Sequence, residues 1–223
     1  MNTFLALAWG AIMGLAPTFG LLFIITSHYE KKIEEEDTMK TYIIGLLLGI
    51  VVIVSHLFFI SDFEGYAESG MLLISAYLLA LGEMMLWHIF INRRKTKGRS
   101  DIPFLLLSFS LGISGMYILF TSGQMLALID ARSDQFLGMI LFAFAVSLMR
   151  GSMAIYLSRG ELKRKVFTNG ALITLVLGTF NLFSFMYLGA EFLWTFSVIL
   201  VIPALISFYL MYPDLAKVSR LHR

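Results

Sequence analysis

The chain has 223 residues, of which 58% are hydrophobic and 14% charged, with a formal net charge of +2 and a mean hydropathy of +0.82. Soluble domains sit nearer 45–50% apolar, roughly, so the composition points away from a soluble class. There is no cysteine, which excludes disulfides, thiol catalysis and cysteine-ligated metal.

Apolar runs of about 20 residues follow one another along the chain, which is the signature of membrane spans. Seven are expected, at roughly 3–26, 41–61, 71–92, 102–121, 136–157, 167–189 and 191–212. The first run holds no charge before Glu30, so it reads as a full span and not as a removable signal peptide. Pro17 within it, in GLAPTFG, is expected to kink the helix, and neighbouring helices must satisfy the carbonyl it frees. A charged loop, HYEKKIEEEDTMK, leads into span two and reads as solvated surface. Span two carries Ser55 and His56 near its outer end. Span three, MLLISAYLLALGEMMLWHIFIN, carries a single acidic residue, Glu83, and His88 near its inner end. The two histidines lie near opposite surfaces, which argues against a haem held between them.

Span four has Ser108, Ser110, Gly112, Ser114 and Gly115 at small-residue spacing and reads as a packing face, because small residues let helix backbones approach closely in lipid. Residues 122–135 read as an outer loop with a short interfacial segment. Span five carries Arg150 inside its apolar run. Thr179 and Asn181 lie toward the outer half of span six, and Asn181 is a candidate for a hydrogen bond between helices. Span seven contains Pro203, with Trp194 near one end and Tyr209 and Tyr212 near the other, which fits aromatic belts.

Charge sets the orientation. In a seven-span arrangement every basic residue except Arg132 and Arg150 falls on one side, and Asp62, Glu64, Glu68, Asp130, Asp134 and Glu191 fall on the other. Six or eight spans would put basic loops on both sides. The positive-inside rule then places the C-terminus in the cytoplasm and the N-terminus outside. The expected fold class is therefore all-α, a polytopic protein with residues 1–223 forming one transmembrane helical domain in the cell membrane.

A carboxylate at membrane depth costs several kcal/mol by insertion scales, so Glu83 needs a partner or a purpose. Glu83 lies about nine residues from the inner end of its span and Arg150 about eight from the inner end of its own, so both sit roughly 12–14 Å above the cytoplasmic boundary. Opposite charges at one depth face inward and pair, directly or through water. The alternative is that Arg150 snorkels to the cytoplasmic surface. His88 is five residues past Glu83, about 140° around the helix, so direct contact between them is not expected. His88, Asn181 and His56 are the other polar candidates near the pair. No metal cluster, cofactor motif or nucleic-acid interface is expected.

Several segments together resemble the PrsW family of intramembrane proteases. They are GLAPTFGLLFIITSHYEKK followed by TYIIGLLLGIVV, then LGEMMLW, DIPFLLLSFSLG, MAIYLSRGELKRK and GTFNLF. The likeness covers most of the chain and is weak at any one point. The family shows two adjacent glutamates where this chain has Gly82 and Glu83, and a lysine where it has Leu86. Tyr117 stands near the position of a further family glutamate. Val146 and Leu177 stand roughly where the family has histidines, and Asn181 where it often has an aspartate. The resemblance implies substrates among single-span membrane proteins, such as membrane-anchored anti-sigma factors, with Glu83 as the candidate base. A protease needs a general base to activate water and polar groups to hold the oxyanion. One glutamate tied to an arginine does not supply both, because a carboxylate held by a cation is a poorer proton acceptor. The function expected is thus a PrsW-like membrane protein that binds or acts on single-span partners, with proteolysis lost or residual. Two alternatives stay open: a small transporter or channel gated by the pair, and a structural or sensory subunit in which the pair fixes helix register.

Overall fold

The computed structural model describes residues 3–27, 35–60, 70–93, 101–128, 133–162, 166–189 and 194–220. Among these are seven helices and no strand: α1 (Thr3–Ser27), α2 (Glu35–Ile60), α3 (Met71–Ile91), α4 (Ile102–Leu128), α5 (Ser133–Leu162), α6 (Val166–Gly189) and α7 (Trp194–Arg220). Six of them, α1 to α6, contain a stretch long and apolar enough to cross a membrane. The chain is a multi-pass helical membrane protein. The apolar part of α7, Ser197–Pro213, is shorter.

Long apolar segments become helices in lipid because only a helix satisfies every backbone N–H and C=O within its own segment. What arranges them is close approach. In α4, 89% of the apolar stretch 102–123 is buried, against 33% for α1, which makes α4 the axis of the bundle. The α1 and α2 helices pack along it, and α5 covers its far side. Beyond that core, α7 lies along α5 and α3 pairs with α6.

Two GxxxG pairs drive the contact with α4. On α1, a Cβ at Gly10 would meet the Leu119 carbonyl oxygen at 2.5 Å and one at Gly14 the Leu119 nitrogen at 2.7 Å. On α2, a Cβ at Gly45 would collide with the Phe109 carbonyl oxygen, and one at Gly49 would sit 2.7 Å from the Met116 Cβ. From the α4 side, Gly112 is pressed on the Tyr42 carbonyl. Where helices gain nothing from expelling water, backbone proximity and cross-helix hydrogen bonds hold them together. Such bonds are present. Thr18 and Tyr42 join their hydroxyls at 2.8 Å between α1 and α2, Ser108 donates to the Thr38 carbonyl of α2 at 2.6 Å, and Ser197 donates to the Gly138 carbonyl of α5 at 3.1 Å.

The helices outrun several of the expected spans. Residues 122–128, expected in a loop, continue α4. Gly123 lies against Ala6 and Leu7 of α1, and Leu126 is buried, so packing extends the helix past the apolar run. The charged segment before span two is helical from Glu35, and α5 and α7 run to Leu162 and Arg220. A polar helical turn is stable outside the hydrocarbon, so the apolar run marks membrane depth and not the helix end. Ahead of α3, Gly70 has φ of 70°, a left-handed conformation that glycine adopts without steric cost.

Adding one methyl group at Gly112 is expected to lower the unfolding free energy by about 1–3 kcal/mol through backbone overpacking. The Gly112→Ala protein should therefore melt earlier than wild type in detergent when followed by tryptophan fluorescence. Gly20→Ala, where nothing lies within 4 Å of the added Cβ, should leave the melting temperature unchanged or raise it.

Candidate functional site

The buried positions of α3 include Ala76, Ala80, Glu83, Trp87 and Phe90. Spacings of three and four residues put them on one helix face. Glu83 therefore enters the core because of its register, flanked by alanines that let the neighbouring helices close in. On α5, Ala143, Ser147, Arg150 and Ala154 are buried at the same spacing, and Arg150 points into the same interior.

The structure brings these two charges together. Arg150 Nε donates to Glu83 Oε2 at 2.8 Å and Nη2 donates to Oε1 at 2.6 Å. Both side chains are almost wholly excluded from solvent. Two parallel N–H···O bonds make the fork-to-fork arrangement in which arginine and a carboxylate bind most strongly. The guanidinium carbon lies 4.2 Å from the centre of the Tyr117 ring of α4, and the ring's negative face stabilises the cation. A second link to α4 runs through the backbone, where Ser110 Oγ donates to the Arg150 carbonyl at 3.0 Å. The pair thus ties α3, α4 and α5 at one point. Arg150 Nη1 is buried with no hydrogen-bond partner among the described residues. Snorkelling of Arg150 does not occur, since the head group is buried against Tyr117.

The other candidates stand apart from the pair. His88 is exposed. Its ring contacts the side-chain amide of Asn92 at 3.1 Å, and that amide also donates to the His88 carbonyl at 3.0 Å. Asn181 is buried on α6 and reaches the Ala76 carbonyl of α3 at 3.5 Å, roughly 10 Å along α3 from Glu83 by helical rise. Thr179 instead joins Tyr77 at 2.9 Å, beside Gly178, on whose backbone the Tyr77 ring is packed. His56 falls on α2, but its side chain lies outside the described residues. No group of three potential metal ligands occurs among the described residues.

Tyr117 is the part of the site that sequence reasoning missed. It stood out only as a departure from a family glutamate, and an aromatic residue in a span carries no sign that it faces a cation. Each carboxylate oxygen accepts from the guanidinium, which leaves Glu83 poorly placed to take a proton from water. The arrangement works as a clamp. No family model matches the chain, and no match was found among curated proteins or solved structures.

Breaking a buried pair leaves an uncompensated charge and costs about 3–5 kcal/mol. Glu83→Gln and Arg150→Gln are each expected to destabilise on that scale in a chemical unfolding series in bicelles. The double variant is expected to recover part of the loss, giving a coupling energy of the sign that a direct pair requires. Tyr117→Phe should keep most of the cation–ring stabilisation, whereas Tyr117→Leu should lose about 0.5–2 kcal/mol.

Proposed function

We propose that the chain is a PrsW-like, non-proteolytic membrane protein that recognises single-span membrane proteins, with Glu83–Arg150 serving as a structural lock. The observation that carries this reading is the bidentate pairing, which occupies both oxygens of the candidate base. A base committed to a cation, in a chain whose Leu86, Val146 and Leu177 replace the polar residues expected of the family, leaves water activation without a second group. The same packing disfavours a transport gate, since a gate needs the charges to face a path that water or substrate can enter.

The reading includes seven spans with the N-terminus outside. The apolar stretch Ser197–Pro213 of α7 has the roughly 17 residues that a short span needs, and α7 lies along α5 over a long contact. The basic residues gather on one side in this arrangement and only there. The cell membrane is the compartment this orientation describes.

Because the chain has no cysteine, single cysteines report topology without background. A cysteine at Ser61 is expected to react with an impermeant maleimide in intact cells, and one at Thr96 only after permeabilisation. The reverse pattern would overturn the orientation. Function is tested by membrane proteomics on a deletion strain complemented with wild type or with Glu83→Gln/Arg150→Gln. The double variant should restore the level of the single-span partner as wild type does. A single-span protein that stays uncut in the deletion and double-variant strains, and is cleaved only with wild type, would show that proteolysis survives and end this reading.

A further inference from the structure

The fork between Arg150 and Glu83 uses Nε and Nη2, which leaves Nη1 on the guanidinium edge turned away from the carboxylate. Nη1 is buried with no acceptor among the described residues, and so is the indole Nε1 of Trp87. Arg150 is 1% exposed and Trp87 fully buried. The register of the helices sets these two donors side by side. Phe90 of α3 stacks on Phe109 of α4 at 4.5 Å between ring centroids. Glu83 lies seven residues from Phe90 and Tyr117 eight from Phe109, so both stand about 10–12 Å from that stack by helical rise. The hydroxyl of Ser110 holds the Arg150 carbonyl, so the base of the Arg150 side chain starts near the stack and its guanidinium ends at Tyr117. Trp87, three residues from Phe90 and four from Glu83, falls beside this stem. Long side chains on a helix lean toward its N-terminus, which carries the indole toward the turn that holds Glu83.

We propose that Arg150 Nη1 and Trp87 Nε1 together bind one ordered water in the bundle interior. Two buried donors that face no acceptor need a ligand that can accept from both. An anion would do so, but the Glu83–Arg150 pair is already neutral, and an anion would add an uncompensated charge to an apolar interior. Water adds none, and it is held in such places by two to four polar partners. A third partner is Ser147, buried one turn before Arg150 on the same face of α5. Its hydroxyl proton is spent on the Ala143 carbonyl at 2.7 Å, so its oxygen is left to accept from the water. The water then links α3 to α5 on the side of the pair away from the carboxylate. Accepting two N–H bonds occupies both of its lone pairs, so it is a structural ligand and not a nucleophile. This assignment rests on the buried donors and not on the proposed partner recognition.

The test uses the full chain in liposomes, labelled with ¹³C and ¹⁵N, and solid-state NMR with selective excitation of water. The Arg150 guanidinium is identified by its magnetisation transfer to a carboxylate carbon, and the Trp87 indole by its loss in Trp87→Phe. Wild type is expected to show water cross-peaks at both Arg150 Nη1 and Trp87 Nε1. Ser147→Val, which removes the accepting oxygen and fills its surroundings, is expected to lose the Arg150 water cross-peak while the transfer from Arg150 to the carboxylate persists. That persisting transfer shows that the variant is folded, and the wild-type spectrum decides the question if it is not. No water cross-peak at Arg150 Nη1 in wild type, a cross-peak at only one of the two donors, or a water cross-peak unchanged in folded Ser147→Val would each overturn the proposal. So would an Nη1 shift that follows the exchange of chloride for gluconate, which would assign the site to an anion.

Discussion

The structure depends on the fact that neither Glu83 nor Arg150 can be left alone in an apolar interior. Desolvating either charge costs several kcal/mol, and their mutual attraction offsets this only with close geometry. The 2.6 and 2.8 Å bonds of the fork supply that geometry. They also constrain the helices. For the guanidinium to meet the carboxylate squarely, α3 and α5 must hold one rotation and one relative height. The ring of Tyr117 and the hydroxyl of Ser110 carry the same requirement to α4. One ion pair therefore sets the register of three helices, which is the best-attested use of buried charge.

That register would not hold without a rigid axis for the helices to close on. The α4 helix provides it by being buried on every side. Gly112 and Gly115 meet α1 and α2, while Ser110 and Tyr117 turn to α5. A helix buried all round has no lipid-facing stripe to orient it, so small residues and hydroxyls set its orientation by deciding which neighbour can come close. The outer helices do the reverse. On α1 Gly10 and Gly14 face α4 while Phe4, Ile12, Phe19 and Phe23 face outward, so large side chains lie on the lipid surface.

How much of this was legible in the sequence follows from the same physics. The helices were legible because apolar runs of span length admit few other structures in lipid. The meeting of Glu83 and Arg150 was legible because depth can be counted from the apolar boundaries. Counting from helix ends would have misled, since α5 continues for 12 residues beyond Arg150 to Leu162, against eight from Glu83 to Ile91 on α3. The extra turns lie beyond the apolar run. Loop boundaries were less legible. The expected loop at 122–135 is largely helix because Gly123 and Leu126 pack on neighbours that are distant in sequence. The spacings GAIMG and GLLLG were present at Gly10–Gly14 and Gly45–Gly49, and they carried a recognisable packing motif. What they could not carry was the partner, because a small residue declares that something comes close and not what comes.

The same asymmetry applies to the chemistry of Glu83. A lone carboxylate in a span has two stable uses, and they make opposite demands. A general base needs a free lone pair, a water and a route for that water. A lock needs both oxygens held by a fixed donor in a buried setting. Glu83 meets the second set, with Arg150 on both oxygens, Tyr117 across the guanidinium and less than a few per cent of either side chain exposed. Converting this site to catalysis would require moving Arg150 away from the carboxylate, and that motion would strand two charges in an apolar interior at once. The pairing that holds the bundle and the reactivity of the buried Glu83 carboxylate are therefore in direct competition, and in the reading proposed above the pairing prevails.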